Sequence, residues 1–70
     1  MKKQPRTFGQ HLAELRLSQG LSVYKLSLMS GVEQMSISRY ESGIRQPLFS
    51  SVQKLAKALN VSIAIFEEDL

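Results

Sequence analysis

The stretch "LSVYKLSLMSGVEQMSISRYESG", residues 21–43, contains two short helical patterns separated by a single glycine. Ser22 is a good N-cap for the first pattern, in which Leu26 and Met29 are spaced to point toward a core. Gly31 can adopt a positive φ angle without a Cβ penalty, so it suits a sharp turn. Two helices joined by such a turn meet at a steep angle, and the stretch therefore predicts a helix-turn-helix.

The second pattern predicts a helix over about residues 33–42 that ends before Gly43. Val32 re-enters the core just before this helix, and Ile37 and Tyr40 are its good core residues at helical spacing. The outward positions carry hydrogen-bond donors, an acceptor and one soft apolar side chain. Such a mixture on one helix face raises the question of what the face contacts.

The segment before this unit predicts a first helix. Phe8, Leu12 and Leu15 recur at helical spacing, and the helix should run to about Ser18. Gly20 should end it as a left-handed cap.

The segment after the unit predicts a fourth helix, because five apolar residues follow one helical face. They are Phe49, Val52, Leu55, Ala56 and Leu59. The helix should end at Asn60, and the last ten residues, "VSIAIFEEDL", allow two alternatives. Ser62 could cap a short fifth helix that buries Ile63 and Phe66, or "VSIAIF" could form an edge strand. We favour the helix, so the expected fold is all-α, a compact bundle of four to five short helices.

Composition places the chain among small single domains with a basic surface. It has 70 residues, no cysteine and a formal net charge of +3, and half of its six acids are Glu67, Glu68 and Asp69. The rest of the chain is therefore strongly basic and should attract polyanions, although charge alone does not distinguish this from a solvated surface. No apolar run approaches about 18 residues and no signal-peptide pattern is present, so a soluble, cytoplasmic protein is expected.

The expected organisation is a flexible basic arm, residues 1–6, followed by one domain, residues 7–70. A chain of 70 residues leaves no room for a ligand-sensing or oligomerisation domain. Regulation is therefore expected to depend on concentration, a partner or the arm.

Several elements of the chain resemble one known family. They are "LRLSQGLS", "KLSLMSGV" leading to "ISRYESG", Pro47 after a basic loop, and "LAKALNVS". Together they are similar to the Cro and lambda-repressor type of helix-turn-helix domain, the Xre family, over about residues 8–66. The resemblance implies five helices, a third helix that enters the DNA major groove, and dimeric binding.

The chain departs from the family pattern at four positions. Ser27 replaces a preferred alanine, and Val23 stands where glutamine is frequent, which puts a usual phosphate contact in doubt. Glu33 stands where Ser or Thr normally begins the third helix; its carboxylate could cap the positive helix end but would repel phosphates. Leu48 occupies the expected cap site of the fourth helix, so that helix should begin frayed or against a partner.

The resemblance assigns DNA contacts to two groups of residues. Four residues on the outward face of the third helix are expected to read bases: Gln34, Met35, Ser38 and Arg39. The structural alternative for these four is an ordinary polar surface with Met35 partly buried. Five others are candidates to reach phosphates, with plain solvated surface as the alternative for each. Ser36, Ser42 and Arg45 match family positions that reach the backbone, Ser22 lies at the anion-binding start of the second helix, and Lys25 is a further candidate.

Two further groups are expected to act structurally. Arg16 and Glu41 match a family pair that would tie the first helix to the third. The C-terminal segment carries more large apolar residues than one short helix can bury, which suggests a dimer contact. The candidate residues for this dimer contact are Leu48, Ile63, Ile65 and Phe66.

Enzymatic chemistry finds no support in the sequence. His11 is the only histidine, and with Glu14 as its one nearby acid it makes neither a zinc site nor a triad, so a surface or partly buried histidine is expected. No metal or cofactor is expected.

The sequence favours a sequence-specific, double-stranded DNA-binding transcriptional regulator, a repressor that binds a palindromic operator as a homodimer. Two alternatives stay open: an antitoxin that represses its own operon and neutralises a toxin partner, and a protein-interaction adaptor with the same fold.

Overall fold

A computed structural model describes residues 7–69, apart from the Glu68 side chain, so the arm expected over residues 1–6 lies outside the described residues. The elements in chain order are α1 (Phe8–Ser18), α2 (Val23–Ser30), α3 (Gln34–Ser42), α4 (Phe49–Ala58) and a C-terminal 3₁₀ helix (Ile63–Asp69). No strand occurs among these residues. The expected all-α bundle is confirmed, and the edge-strand alternative for the last segment is wrong.

Side-chain caps explain where the first two helices begin. The Thr7 hydroxyl accepts a hydrogen bond from the Gln10 amide at 3.1 Å, and the Gln10 side chain accepts one from the Thr7 amide at 3.0 Å. This reciprocal capping box satisfies amides that would otherwise lack partners at the start of α1. The Ser22 hydroxyl accepts from the Lys25 amide at 2.9 Å and caps α2, as predicted.

The later two helices begin without a side-chain cap. Glu33 precedes α3 and Leu48 precedes α4, both with extended backbone and no side-chain hydrogen bond to the helix. The prediction that the Glu33 carboxylate could cap α3 is therefore wrong. Leu48 has no polar atom to offer, as the sequence indicated.

Left-handed residues end α2 and α3. Gly31 and Gly43 are their C-caps, with φ angles of 78° and 81°. Asn60 follows α4 with a φ angle of 59°, and asparagine is one of the few other residues that tolerates this region.

The core joins all the elements. Its buried apolar residues are Phe8, Leu12, Leu26, Val32, Ile37, Tyr40, Val52, Leu55, Ala56, Leu59 and Phe66. The Phe8 ring packs edge-on against Tyr40 at 6.1 Å and against Phe66 at 5.0 Å between centroids. These contacts fix α1 against both α3 and the C-terminal segment.

Two residues predicted to point inward are exposed. Met29 is 47% exposed and Phe49 is 64% exposed. The inward face of α2 consists of its buried and partly buried residues: Val23, Leu26, Ser27 and Ser30. At about 100° per residue, Met29 lies roughly 110° from the centre of this face. Phe49 is the first residue of α4 and lies about 70° from the centre of its buried face.

Gly9 allows α1 and α3 to approach closely. It is buried, and a Cβ atom at this position would collide with the Tyr40 carbonyl oxygen at the end of α3. No sequence pattern identified this contact, because a glycine inside a helix has several possible causes.

His11 connects α1 to the C-terminal segment. Its Nδ1 atom lies 2.6 Å from Asp69 Oδ2, and its ring packs edge-on against Phe66 at 5.2 Å between centroids. The His11 and Asp69 side chains are only 11% and 7% exposed. The acidic end of the chain is therefore not simply solvated, and Asp69 helps to hold the segment on the core.

Candidate nucleic-acid interface

The α2–α3 joint is held by hydrogen bonds as well as by packing. The Ser27 hydroxyl donates to the Val32 carbonyl at 2.6 Å, and the Ser30 hydroxyl accepts from the Val32 amide at 3.1 Å. The Gly31 amide donates to the Ser27 carbonyl at 2.9 Å. Ser27 was expected only to be small; its hydroxyl also satisfies a carbonyl in the turn, which alanine could not do.

The two sides of α3 differ sharply. Ser36, Ile37 and Tyr40 are buried, and Glu41 is partly buried. Four residues form what we call the exposed face of α3: Gln34, Met35, Ser38 and Arg39. At about 100° per residue these four occupy a continuous arc of roughly 140°. The structure therefore brings the predicted base-reading residues together on one solvent-facing surface, and Met35, at 61% exposure, is not partly buried.

Arg16 and Glu41 contact each other through two hydrogen bonds. Arg16 Nε donates to Glu41 Oε2 at 2.7 Å, and Nη2 donates to Oε1 at 3.0 Å. Arg16 Nη1 also donates to the Leu21 carbonyl at 2.8 Å. One guanidinium therefore joins α1, the α1–α2 turn and α3, and the hydrogen bonds that it donates to Glu41 raise the pKa of Arg16.

The residues expected to contact phosphate fall into two groups. Ser22, Lys25, Ser42 and Arg45 are exposed, whereas Ser36 is buried. The Ser36 hydroxyl accepts a hydrogen bond from Arg45 Nη1 at 3.3 Å. The Arg45 guanidinium carbon also lies 6.0 Å from the centroid of the Tyr40 ring. Sequence spacing had not indicated that Ser36 and Arg45 would meet.

The residues expected at a dimer contact are only partly available. Leu48 and Ile65 are 60% and 40% exposed, and Ile63 packs partly buried against the core. Phe66 is fully buried between Phe8 and His11, so its assignment to an intermolecular contact is wrong. The physical reason is that the Phe66 ring packs against α1 and forms part of the core there.

Two kinds of feature are absent from the described part of the chain. Over residues 7–69, no helix has the length and apolar character needed to cross a membrane. In the same range, no group of three or more His, Cys, Asp or Glu residues is placed to hold a metal ion.

These features define a small lambda-repressor-like helix-turn-helix domain: a glycine turn, a second helix with an exposed polar face, and flanking helices that bury the joint. The model of the helix-turn-helix family matches residues 12–66. The chain belongs to this family.

Two curated relatives are longer than this chain. The uncharacterised helix-turn-helix transcriptional regulator RghRB of Bacillus subtilis strain 168 is 42% identical over 55 residues, which are 77% of this chain and 40% of that protein. The helix-turn-helix transcriptional regulator PuuR of Escherichia coli strain K12 is 36% identical over 58 residues, 83% of this chain and 31% of that protein. The chain thus spans less than half the length of both regulators.

Solved structures of similar size superpose closely. The restriction-modification controller protein C.AhdI from Aeromonas hydrophila has a TM-score of 0.79 and 35% identity, covering 90% of this chain and 91% of its own. The biofilm regulator SinR in complex with DNA has a TM-score of 0.79 and 25% identity, covering 83% and 94%. The P22 c2 repressor in complex with a synthetic operator has a TM-score of 0.76 and 26% identity, covering 83% and 88%.

Proposed function

We propose that this chain is a sequence-specific, double-stranded DNA-binding transcriptional regulator, a repressor that binds a palindromic operator as a homodimer. The observation that carries the proposal is the exposed face of α3. Four chemically suitable side chains share one arc of a helix whose other side is anchored in the core by Ile37 and Tyr40. A rigid helix that presents such a face fits the major groove, which is wide enough to admit it.

Each member of the exposed face of α3 has a base-edge partner in this proposal. The Arg39 guanidinium can donate two hydrogen bonds to guanine, and the Gln34 amide can pair with adenine in the same two-point manner. Met35 offers apolar contact to a thymine methyl group, and Ser38 can donate to or accept from either purine.

Contacts to phosphate would come from exposed residues around α3. Lys25 and Arg45 supply positive charge, and Ser22 lies at the N-terminus of α2, where helix amides favour anions. Ser42 is exposed at the end of α3, although its hydroxyl donates to the Arg39 carbonyl at 3.2 Å. These contacts would fix the register of the protein on the duplex, while the exposed face of α3 would supply the specificity.

The relatives support this proposal. Three of the similar proteins are named as transcriptional regulators or repressors, and two of the similar solved structures contain DNA or a synthetic operator. A DNA-binding regulator works in the compartment that holds the DNA, so we place the chain in the cytoplasm. The proposal assigns it binding and no catalytic step.

The homodimer would use exposed apolar residues at the start of α4 and in the C-terminal segment. Leu48 and Ile65 are exposed, and Ile63, two residues before Ile65, packs partly buried against the core. A two-fold contact there must set the two α3 helices about 34 Å apart, one turn of duplex, to reach both half-sites.

Alanine substitution tests the base-reading assignment. Arg39→Ala and Gln34→Ala are each expected to cost about 1–3 kcal/mol on a preferred duplex and to relax specificity at one or two base pairs per half-site. Arg45→Ala should weaken binding to all duplexes alike and reduce the salt slope by about one unit. Lys57→Ala, an exposed basic residue of α4, is the matched charge control and should change neither specificity nor slope appreciably.

Fluorescence anisotropy on preferred and scrambled duplexes, repeated across a salt series, measures these effects. Equal losses on both duplexes for Arg39→Ala and Gln34→Ala would remove the base-reading assignment.

A further inference from the structure

Ser36 stands apart from the other four residues expected at the phosphate backbone, because it is buried and they are exposed. Its hydroxyl accepts a hydrogen bond from Arg45 Nη1 at 3.3 Å. A buried hydroxyl on the core side of α3 is poorly placed to reach a phosphate itself. It is well placed to hold a longer side chain that can.

The backbone around Arg45 supports such a role. The amides of Ile44 and Arg45 donate to the Arg39 carbonyl at 3.0 and 3.3 Å, so the loop folds back onto the end of α3. From there the Arg45 side chain passes along α3, within 6.0 Å of the Tyr40 ring centroid, to Ser36. The guanidinium is thus contacted at two points, by a ring and by a hydroxyl.

Tyr40 is itself fixed in place. It is 2% exposed, and its hydroxyl donates to Ser51 Oγ of α4 at 3.1 Å. The ring beneath Arg45 is therefore a rigid platform that belongs to the core. The contacts between Ser51 and Tyr40 and between Tyr40 and Arg45 therefore connect α4 to the edge of α3.

The position of Ser36 on α3 determines where the positive charge of Arg45 lies. At about 100° per residue, Ser36 is roughly 60° from Arg39, the outermost residue of the exposed face of α3 on that side. Holding Arg45 at Ser36 therefore places a second guanidinium along the rim of that face. A cation at the rim of a groove-binding helix faces the backbone strand that borders the groove.

We propose that Ser36 is a positioning residue that holds the Arg45 guanidinium at the rim of the exposed face of α3, ready to contact a DNA phosphate. This inference rests on the proposed DNA-binding function. Ordering an arginine before binding reduces the side-chain entropy lost when the contact forms. Ser36 thereby strengthens binding through Arg45 and not through a phosphate contact of its own.

A double-mutant cycle tests the inference. Ser36→Ala is expected to weaken binding to a library-selected duplex by about 3-fold to 10-fold, the effect of one hydrogen bond. In an Arg45→Ala background the same substitution should have no effect, because the residue it positions is gone. Ser36→Thr keeps the hydroxyl and should restore binding, and Ser50→Ala, an exposed serine of α4, is the matched control.

Binding is measured by anisotropy across a salt series, together with the melting temperature of each free variant. Equal losses from Ser36→Ala in both backgrounds, or no loss in either, would overturn the positioning role. So would a Ser36→Thr variant that melts like the parent but binds as weakly as Ser36→Ala. If the parent chain itself shows no salt-dependent binding to duplex, the proposed function fails, and this inference fails with it.

Discussion

Replacing Glu41 with alanine is expected to destabilise the free domain strongly. The carboxylate accepts two hydrogen bonds from Arg16, at 2.7 and 3.0 Å, and both side chains are only 13% exposed. Removing it leaves a guanidinium that is shielded from water and bonded only to the Leu21 carbonyl. Breaking a buried pair from one side costs about 3–5 kcal/mol, and the slight exposure here reduces our expectation to about 2–4 kcal/mol.

That loss is large for a domain of this size. A small domain has on the order of 5 kcal/mol of stability. Each kcal/mol corresponds to roughly 4–8 °C, so Glu41→Ala should lower the melting temperature by roughly 8–32 °C. Circular dichroism of the free protein measures this without DNA.

Glu33→Ala is the matched control, because it removes the same charged group from the exposed start of the same helix, where it caps nothing. It should change stability by less than about 1 kcal/mol. Arg16→Lys should not retain the parent stability, since one ammonium cannot serve two carboxylate oxygens and a carbonyl in the fork geometry. A Glu41→Ala protein that melts with the parent would refute the reasoning.

The pH dependence of this effect has a definite sign. Hydrogen bonding of the Arg16 guanidinium to the Glu41 carboxylate raises the pKa of Arg16 in the folded state. A raised pKa contributes stability that is complete below the unfolded pKa and is lost only as pH rises through the folded value. Arginine titrates far above neutrality, so the arginine side of the pair should contribute equally at pH 6 and pH 8.

Three further predictions concern contacts elsewhere. Gly9→Ala should destabilise the domain by about 1–3 kcal/mol in thermal melting, because the new methyl meets the Tyr40 carbonyl; an unchanged melting temperature would contradict this. Asp69→Asn should speed amide hydrogen exchange in the C-terminal 3₁₀ helix by weakening its contact to His11, and parent-like exchange would show that the contact is not holding the segment. Ile65→Lys should weaken dimerisation by at least about tenfold in sedimentation, since it buries a charge; parent-like dimers would move the interface elsewhere.

The sequence predicted most of the fold because local signals and the core pattern agree. Ser22, Gly31 and Gly43 delimit α2 and α3 as expected, and Ile37 and Tyr40 turn toward the core. These features depend on near neighbours along the chain, which periodicity and capping rules describe well.

The misplaced residues were those whose environment depends on distant parts of the chain. Met29 and Phe49 are apolar and at plausible spacing, but the centre of each helix's buried face is set by which helix packs on it. The contact between His11 and Asp69 spans 58 positions, and no local rule connects such residues.

The candidate nucleic-acid interface was likewise predictable only where it depends on residues close together in the sequence. The exposed face of α3 was predictable, because helical periodicity assigns the four residues to one side. The hydrogen bond from Arg45 to Ser36 was not predictable, since it depends on how the loop after Gly43 folds back onto α3.

Selection of bound sequences from a random duplex library, made in parallel with the parent and with Arg39→Ala, tests most directly that α3 reads DNA. The parent is expected to enrich an inverted repeat whose half-site centres lie about 10 base pairs apart. Arg39→Ala should enrich the same spacing with preference lost at one or two positions in each half-site. No enriched motif with the parent, or an identical motif with both proteins, would contradict the assignment of α3 as the reading helix.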